Sequence, residues 1–288
     1  MKLAWLSQVL PALILTRVGL SAPAPTSVVS QVHVISVHVR DHAAFDAVFL
    51  LFRDVIQLPL VYGSLSKPGS ENERLYAGFS VGNAYLEPCG PYPSDAPFSP
   101  DQTARFHGLT FSPATSLGED TQELARRGIS HAAMVGGGSL PRFVYFNDAL
   151  LTGELLAVSI WEVQDKQDRV NLGFLSSSLQ EAKGGALGVK RIDEVRVGCP
   201  GQANVEQWGH FLTPAKHEGE AWFIGNGPVL RLVPSKANQI ESIVLKVESL
   251  EQARTTAAQR NLLGKVTLDG IELDPAKTSG LRILLKEK

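Results

Sequence analysis

Apolar and polar positions in this chain follow a pattern that runs through four times. Ile35, Val37 and Val39 alternate with polar neighbours, the two-residue period of a strand buried on one face. The run stops at Asp41, a residue type suited to cap a helix. Phe45, Val48, Phe49 and Phe52 then recur at three- and four-residue intervals, which predicts a helix with one apolar side, closed by Leu58-Pro59. The stretch YAGFSVGNAYLEPC, ending at Cys89, predicts short strands, the last carrying one carboxylate, Glu87, in an apolar setting.

The second run begins at Arg105 with the strand FHGLTFSPA. Ser116-Leu-Gly-Glu119 reads as a capping box, and the helix TQELARRG ends at Gly128, a residue suited to the left-handed C-terminal position. Strands around Arg142–Tyr145 and Leu155–Val163 follow, the last carrying Glu162. The third run starts at Val189 with VKRIDEVRVGC, the helix NVEQWGHFL, then AWFIGNG and PVLRLVP. The fourth starts near Gln239 with IESIVLKV, a second capping box from Ser249 to Gln252, a helix through Arg260, then VTLDGIEL and SGLRILLKEK. Each run is only about 45–75 residues long, too short for a stable core of its own.

Composition narrows the setting. An apolar fraction of 44% and a charged fraction of 19% over 288 residues are those of a globular protein. A net charge of -2 and a pI near 6.4 give no electrostatic footing for nucleic acid or an anionic membrane, so recognition is expected in a pocket. Residues 1–27 differ: Lys2, an apolar run from Leu3 to Leu15, small residues (Gly19, Ser21, Ala22) and APAPTS have the layout of a signal peptide. Cleavage near Ala22 or Ala24 and export, periplasmic or secreted, are the expectation. A disordered extension on a cytoplasmic protein is the alternative. The apolar run falls short of the roughly 20 residues that span a bilayer. Cys89 and Cys199 adjoin strand ends in different halves and are expected as free thiols. Gly136-Gly-Gly138 lacks the Lys-Ser/Thr of a phosphate loop and reads as an ordinary loop.

FRDVIQLP and VGNAYLEP resemble the FYRDVLGLP and GNxxLE segments of the vicinal oxygen chelate superfamily, which holds glyoxalases, extradiol dioxygenases and bleomycin or fosfomycin resistance proteins. The resemblance implies an α+β fold of four βαβββ modules. Two modules pair to close one curved sheet, giving tandem glyoxalase-like domains over 28–166 and 186–288. The polar stretch 167–185, with its serine run and paired glycines, is expected as a linker.

The resemblance also implies a divalent metal ion on the concave face of a sheet, held by His or Gln from first strands and Glu from last strands. Carried over, Glu87 and Glu162 fall on last-strand carboxylates and are the expected catalytic groups and metal ligands, with His38, His33 or His107 completing the set. The usual histidine position is Val34, with His33 one residue before it; in the second module it falls on Phe106 or His107. If Ile35, Val37 and Val39 pack on the helix, then Val34, Ser36 and His38 line the cavity. Competing readings leave Glu162 at a strand end facing water and each histidine in a structural role. In the second domain the positions hold Glu194 and Arg231, then Ser242 and Leu284, which reads as a lost metal site filled by a Glu194–Arg231 salt bridge.

Two functions follow. One is a metal-dependent enzyme with lyase or isomerase chemistry on a small substrate chelated through vicinal oxygens in the N-terminal domain. The other is a non-catalytic protein of the same fold that sequesters a small molecule. An extradiol dioxygenase fits less well, because that class uses two histidines and a glutamate in its C-terminal half. No nucleic-acid partner, and no membrane once the leader is removed, is expected; oligomerisation is left open.

Overall fold

A computed structural model describes residues 25–66, 74–92, 96–137, 140–162 and 171–287. The proposed leader lies almost entirely outside them, as do Gly138 and the first residues of the expected linker. The first-half strands are β1 (Val29–Val39), β2 (Leu60–Tyr62), β3 (Leu75–Tyr76), β4 (Gly78–Ser80), β5 (Tyr85–Gly90), β6 (Ala104–Pro113), β7 (Val135–Gly137), β8 (Leu140–Tyr145) and β9 (Ala157–Glu162). The second-half strands are β10 (Val189–Cys199), β11 (Lys216–Glu218), β12 (Ala221–Phe223), β13 (Val229–Pro234), β14 (Gln239–Val247), β15 (Leu263–Val266), β16 (Ile271–Leu273) and β17 (Ile283–Lys286). Each half makes one sheet. The order is β2-β4-β5-β1-β6-β9-β8-β7 in the first, with β3 also on β5, and β11-β12-β13-β10-β14-β17-β16-β15 in the second.

The layout within each sheet is the same. The first strands of two modules lie antiparallel at the centre (β1 on β6, β10 on β14), and each pairs in parallel with the last strand of its own module. The expected α+β architecture of four strand–helix–strand modules in two curved sheets is therefore present.

The helices start where the capping residues place them. The Asp41 carboxylate accepts from the Ala44 N–H at 2.8 Å and opens α1 (His42–Leu50). Wider π-helical turns over Leu51–Ile56 follow and stop at Gln57, whose φ of 64° is left-handed. Ser116 accepts from the Glu119 N–H at 3.3 Å and opens α2 (Leu117–Arg126); Gly128 ends it at φ +70°. The box closes through the hydroxyl of Ser116, which donates to the Glu119 carboxylate at 3.0 Å.

The stretch expected as a linker departs from expectation. It forms α3 (Asn171–Glu181), with Leu175 and Leu179 buried one turn apart and Ser177 exposed between them. Those two leucines, hidden in a polar run, anchor the segment to the body of the protein. The glycines after it serve close approach: a Cβ at Gly185 would lie 2.5 Å from the carbonyls of Ile56 and Gln57.

The two halves share one core. Phe111 of the first sheet meets Phe211 of α4 (Gln202–Leu212) edge to face at 5.2 Å. Side chains also cap helix ends across the halves. Arg127, at the end of α2, donates to the carbonyls of His210, Phe211 and Thr213 at the end of α4. Arg260, at the end of α5 (Leu250–Gln259), donates to Asp54 and Val55 at the end of the π-helical turns. These satisfy carbonyls that a helix terminus leaves without partners.

Candidate functional site

The strand register decides which side chains share a face. Ile35, Val37 and Val39 pack with Phe45, Val48 and Phe49 in the core, so Val34, Ser36 and His38 point the other way, as the period predicts. Ser36 lies beside Glu87, and His38 beside Cys89, in the parallel β1–β5 ladder. On the other side Ser36 faces Gly108, and Thr110 lies beside Ser159 with hydroxyls 2.9 Å apart. These residues line a cavity of about 350 Å³, with Tyr92 at one side and Phe143, Tyr145 and Trp161 as a further wall. Phe143 stacks between Trp161, at 5.4 Å and 20°, and Tyr145, at 6.0 Å and 10°. Leu175 of α3 packs on the lining residue Val34 and on Tyr85.

Glu87 is the one carboxylate facing this cavity among the described residues. It accepts a hydrogen bond from the Tyr62 hydroxyl. Burial pushes its carboxyl above the usual range, and the Tyr62 hydrogen bond only partly opposes this. Burial, and then the Glu87 charge, raise the Tyr62 phenol in turn. His38 is stacked between Tyr92, at 4.5 Å, and His107, at 3.8 Å.

Glu162 does not face the cavity. Ser159 and Trp161 do, so Glu162, three residues after Ser159, lies on the opposite face of β9. There it accepts from the Leu117 N–H at 3.1 Å, at the start of α2, and pairs with Arg142. It completes a helix N-terminus, a structural role.

The pairing identifies the true counterpart of Glu87. The Ile35–Leu109 pair sits at the centre of the β1–β6 ladder. Exchanging the two modules about it exchanges Val34 with Gly108, Ser36 with Thr110, and Glu87 with Ser159. The register thus puts Gly108 and Ser159, rather than Phe106 or His107 and Glu162, at the second-module counterparts of Val34 and Glu87, so the four equivalent positions are Val34, Glu87, Gly108 and Ser159.

His33 and His107 are each the extra residue of a β-bulge, between Val32 and Val34 and between Phe106 and Gly108. His33 packs on Tyr85 and Trp161, and burial lowers its pKa to about 4, so the ring is neutral. Among the described residues no three His, Cys, Asp or Glu side chains converge as a metal would require. A side chain at Gly108 would meet Ser36 at 3.0 Å. The residues present do not fit the multi-donor metal centre expected from the resemblance.

The second sheet repeats the frame with other chemistry. Its four positions are Glu194, Arg231, Ser242 and Leu284. Arg196 and Arg231 each donate to Glu194 through Nε at 2.6 Å. Burial alone would raise this carboxyl, but the two guanidiniums outweigh it and hold it below its ordinary value. The expected salt bridge is there, with Arg196 as an added partner. Cys89 and Cys199 are both buried thiols outside any disulfide, as expected.

Sequence reading missed Tyr62, Ser159 and the aromatic wall. Tyr62 lies in a three-residue strand without periodic signal, and Ser159 is marked only by its parity with Trp161.

The sequence matches no protein-family model and no curated protein. Solved structures do match. The 2,3-dioxygenase LapB from Pseudomonas sp. KL28 is 13% identical with a TM-score of 0.58, over 91% of this chain and 93% of that one. The homoprotocatechuate 2,3-dioxygenase from Brevibacterium fuscum is 12% identical, TM-score 0.54, over 93% and 83%. A Mn(II)-bound glyoxalase from Novosphingobium aromaticivorans is 11% identical, TM-score 0.54, over 91% and 83%. At this identity the likeness establishes the fold alone: the chain has the two-sheet architecture that these proteins share.

Proposed function

We propose that the first sheet's cavity binds a small molecule, with Glu87 as its hydrogen-bonding and acid–base group, and that the second sheet carries no site of its own. The observation that carries this is a buried carboxylate, held by Tyr62, facing about 350 Å³ of space walled by stacked aromatic rings. Apolar walls with one or two placed polar groups are what a small-molecule site requires.

A second reading follows the neighbours. Their names describe dioxygenases and a Mn(II)-bound glyoxalase, which supports divalent-metal chemistry on this fold. For this chain that would be lyase or isomerase chemistry on a substrate chelated through adjacent oxygens. The donor set weighs against it, since Glu87 alone among the four positions can ligate strongly. Ring cleavage in the second sheet has less support still, because Arg231 and Leu284 occupy its last-strand positions.

Elemental analysis with a chelator titration separates the readings. Metal-free protein whose melting temperature ignores chelator, yet rises with planar ligands and not in Glu87→Gln, supports the binding pocket. Near-stoichiometric metal that is lost in Glu87→Gln supports the metal enzyme and overturns the first reading.

A further inference from the structure

The cavity of the first sheet has one sign of charge and one kind of wall. Among the described residues Glu87 is its only carboxylate, and none of the lining residues is Lys or Arg. Its charge reaches the phenols of Tyr62 and Tyr145, where it adds to burial in raising the pKa. Phe143 lies nearly parallel to Trp161 and Tyr145, between the two, and all three line the cavity, so one wall is aromatic. An aromatic face carries negative electrostatic potential and attracts cations lying within about 6 Å of its centre. Burial strengthens that attraction, and a carboxylate accepting from a charged N–H makes a stronger bond than a neutral pair. An anion here would face Glu87; Arg74, whose guanidinium lies over the Tyr92 ring at 5.4 Å, is not itself a lining residue. His38 and Cys89, the other titratable groups of the lining, sit beside Glu87 on β1 and β5, with His38 held between two rings.

Resting on the pocket reading above, we infer that the ligand class is a planar organic cation bearing an N–H, such as a protonated aromatic amine or amidine. Its ring packs against the wall of Phe143, Tyr145 and Trp161, and its N–H donates to Glu87.

Benzamidine, benzamide and benzoate share one shape and differ in charge, so they isolate the electrostatic part. Each is titrated by calorimetry against the full chain in the presence of chelator. Benzamidine is expected to bind at least about tenfold more tightly than benzamide, with benzoate weakest. Glu87→Gln should bring benzamidine and benzamide to within about twofold, whereas Glu162→Gln, the same charge change on the other face, should leave the ranking intact. Phe143→Leu should weaken both compounds. Benzamide or benzoate binding as tightly as benzamidine overturns the cation inference and leaves the pocket standing. No binding of any of the three at millimolar concentration, in protein shown folded by circular dichroism, overturns the pocket reading as well. Should Glu87→Gln fail to fold, the charge series on the wild type decides the matter alone.

Discussion

The two sheets share a register and differ in what they place on it. Each has a bulge residue in both central strands: His33 and His107 in the first sheet, Asp193 and Glu241 in the second. His33 is buried against rings, whereas Asp193 pairs with Arg191 in solvent. Where the first sheet aims Glu87 into an open cavity, the second puts Arg231, which folds onto Glu194 together with Arg196. A handful of side chains on an unchanged frame thus decide whether the uncovered face of a sheet is a pocket or a closed ion cluster. Backbone pairing and the helix-side core set the frame; the sparse outward positions set the chemistry.

The largest effect should come from His33. Its pKa falls from 6.5 unfolded to about 4 folded, so the unfolded chain binds more protons between those values. Stability is then full above pH 6.5 and drops by about 3 kcal/mol as the pH falls toward 4. Urea denaturation across that window should show the slope, and His33→Phe should flatten it. An unchanged slope in the variant would place the acid sensitivity elsewhere.

Arg127→Ala should cost about 2 kcal/mol, because a buried guanidinium there serves three helix-end carbonyls and Glu123. Arg260→Ala, which serves two carbonyls at the equivalent joint, should cost about 1 kcal/mol. Equal losses in denaturant midpoints would mean that the two joints are energetically alike.

Glu87 separates the sheets by pH. Its folded pKa is raised by burial, so the native state holds the proton longer and stability declines as pH climbs above the ordinary 4.5. Glu87→Gln should therefore gain on the wild type with rising pH in melting scans. The smallest effect should come from Arg231→Met. That side chain is 37% exposed and Arg196 still holds Glu194, so the loss should stay below about 1 kcal/mol.

Much of this was legible in the sequence. Alternation at Ile35, Val37 and Val39 correctly turned Val34, Ser36 and His38 outward, and the residue types at Glu194 and Arg231 announced their salt bridge. Glu162 misled because strand chemistry depends on parity: it looks like Glu87 by neighbourhood, yet it sits an odd number of residues from Ser159, the true counterpart. His33 and His107 could not be placed because a bulge adds a residue to one strand only, which no count along a single strand reveals. The helix over Asn171–Glu181 was hidden by its composition, two leucines carrying the burial of a stretch otherwise read as polar.

The crossed arginines at the helix ends have a consequence for heredity as well as for stability. Each half finishes helices that belong to the other, so the two sheets cannot be shuffled as interchangeable cassettes. A gene cut between them would yield fragments with bare carbonyls and an open aromatic seam at Phe111 and Phe211. The second half is in this sense scaffold for the first: its Arg260 finishes the turns that end at Ile56, and its Phe211 closes the seam at Phe111.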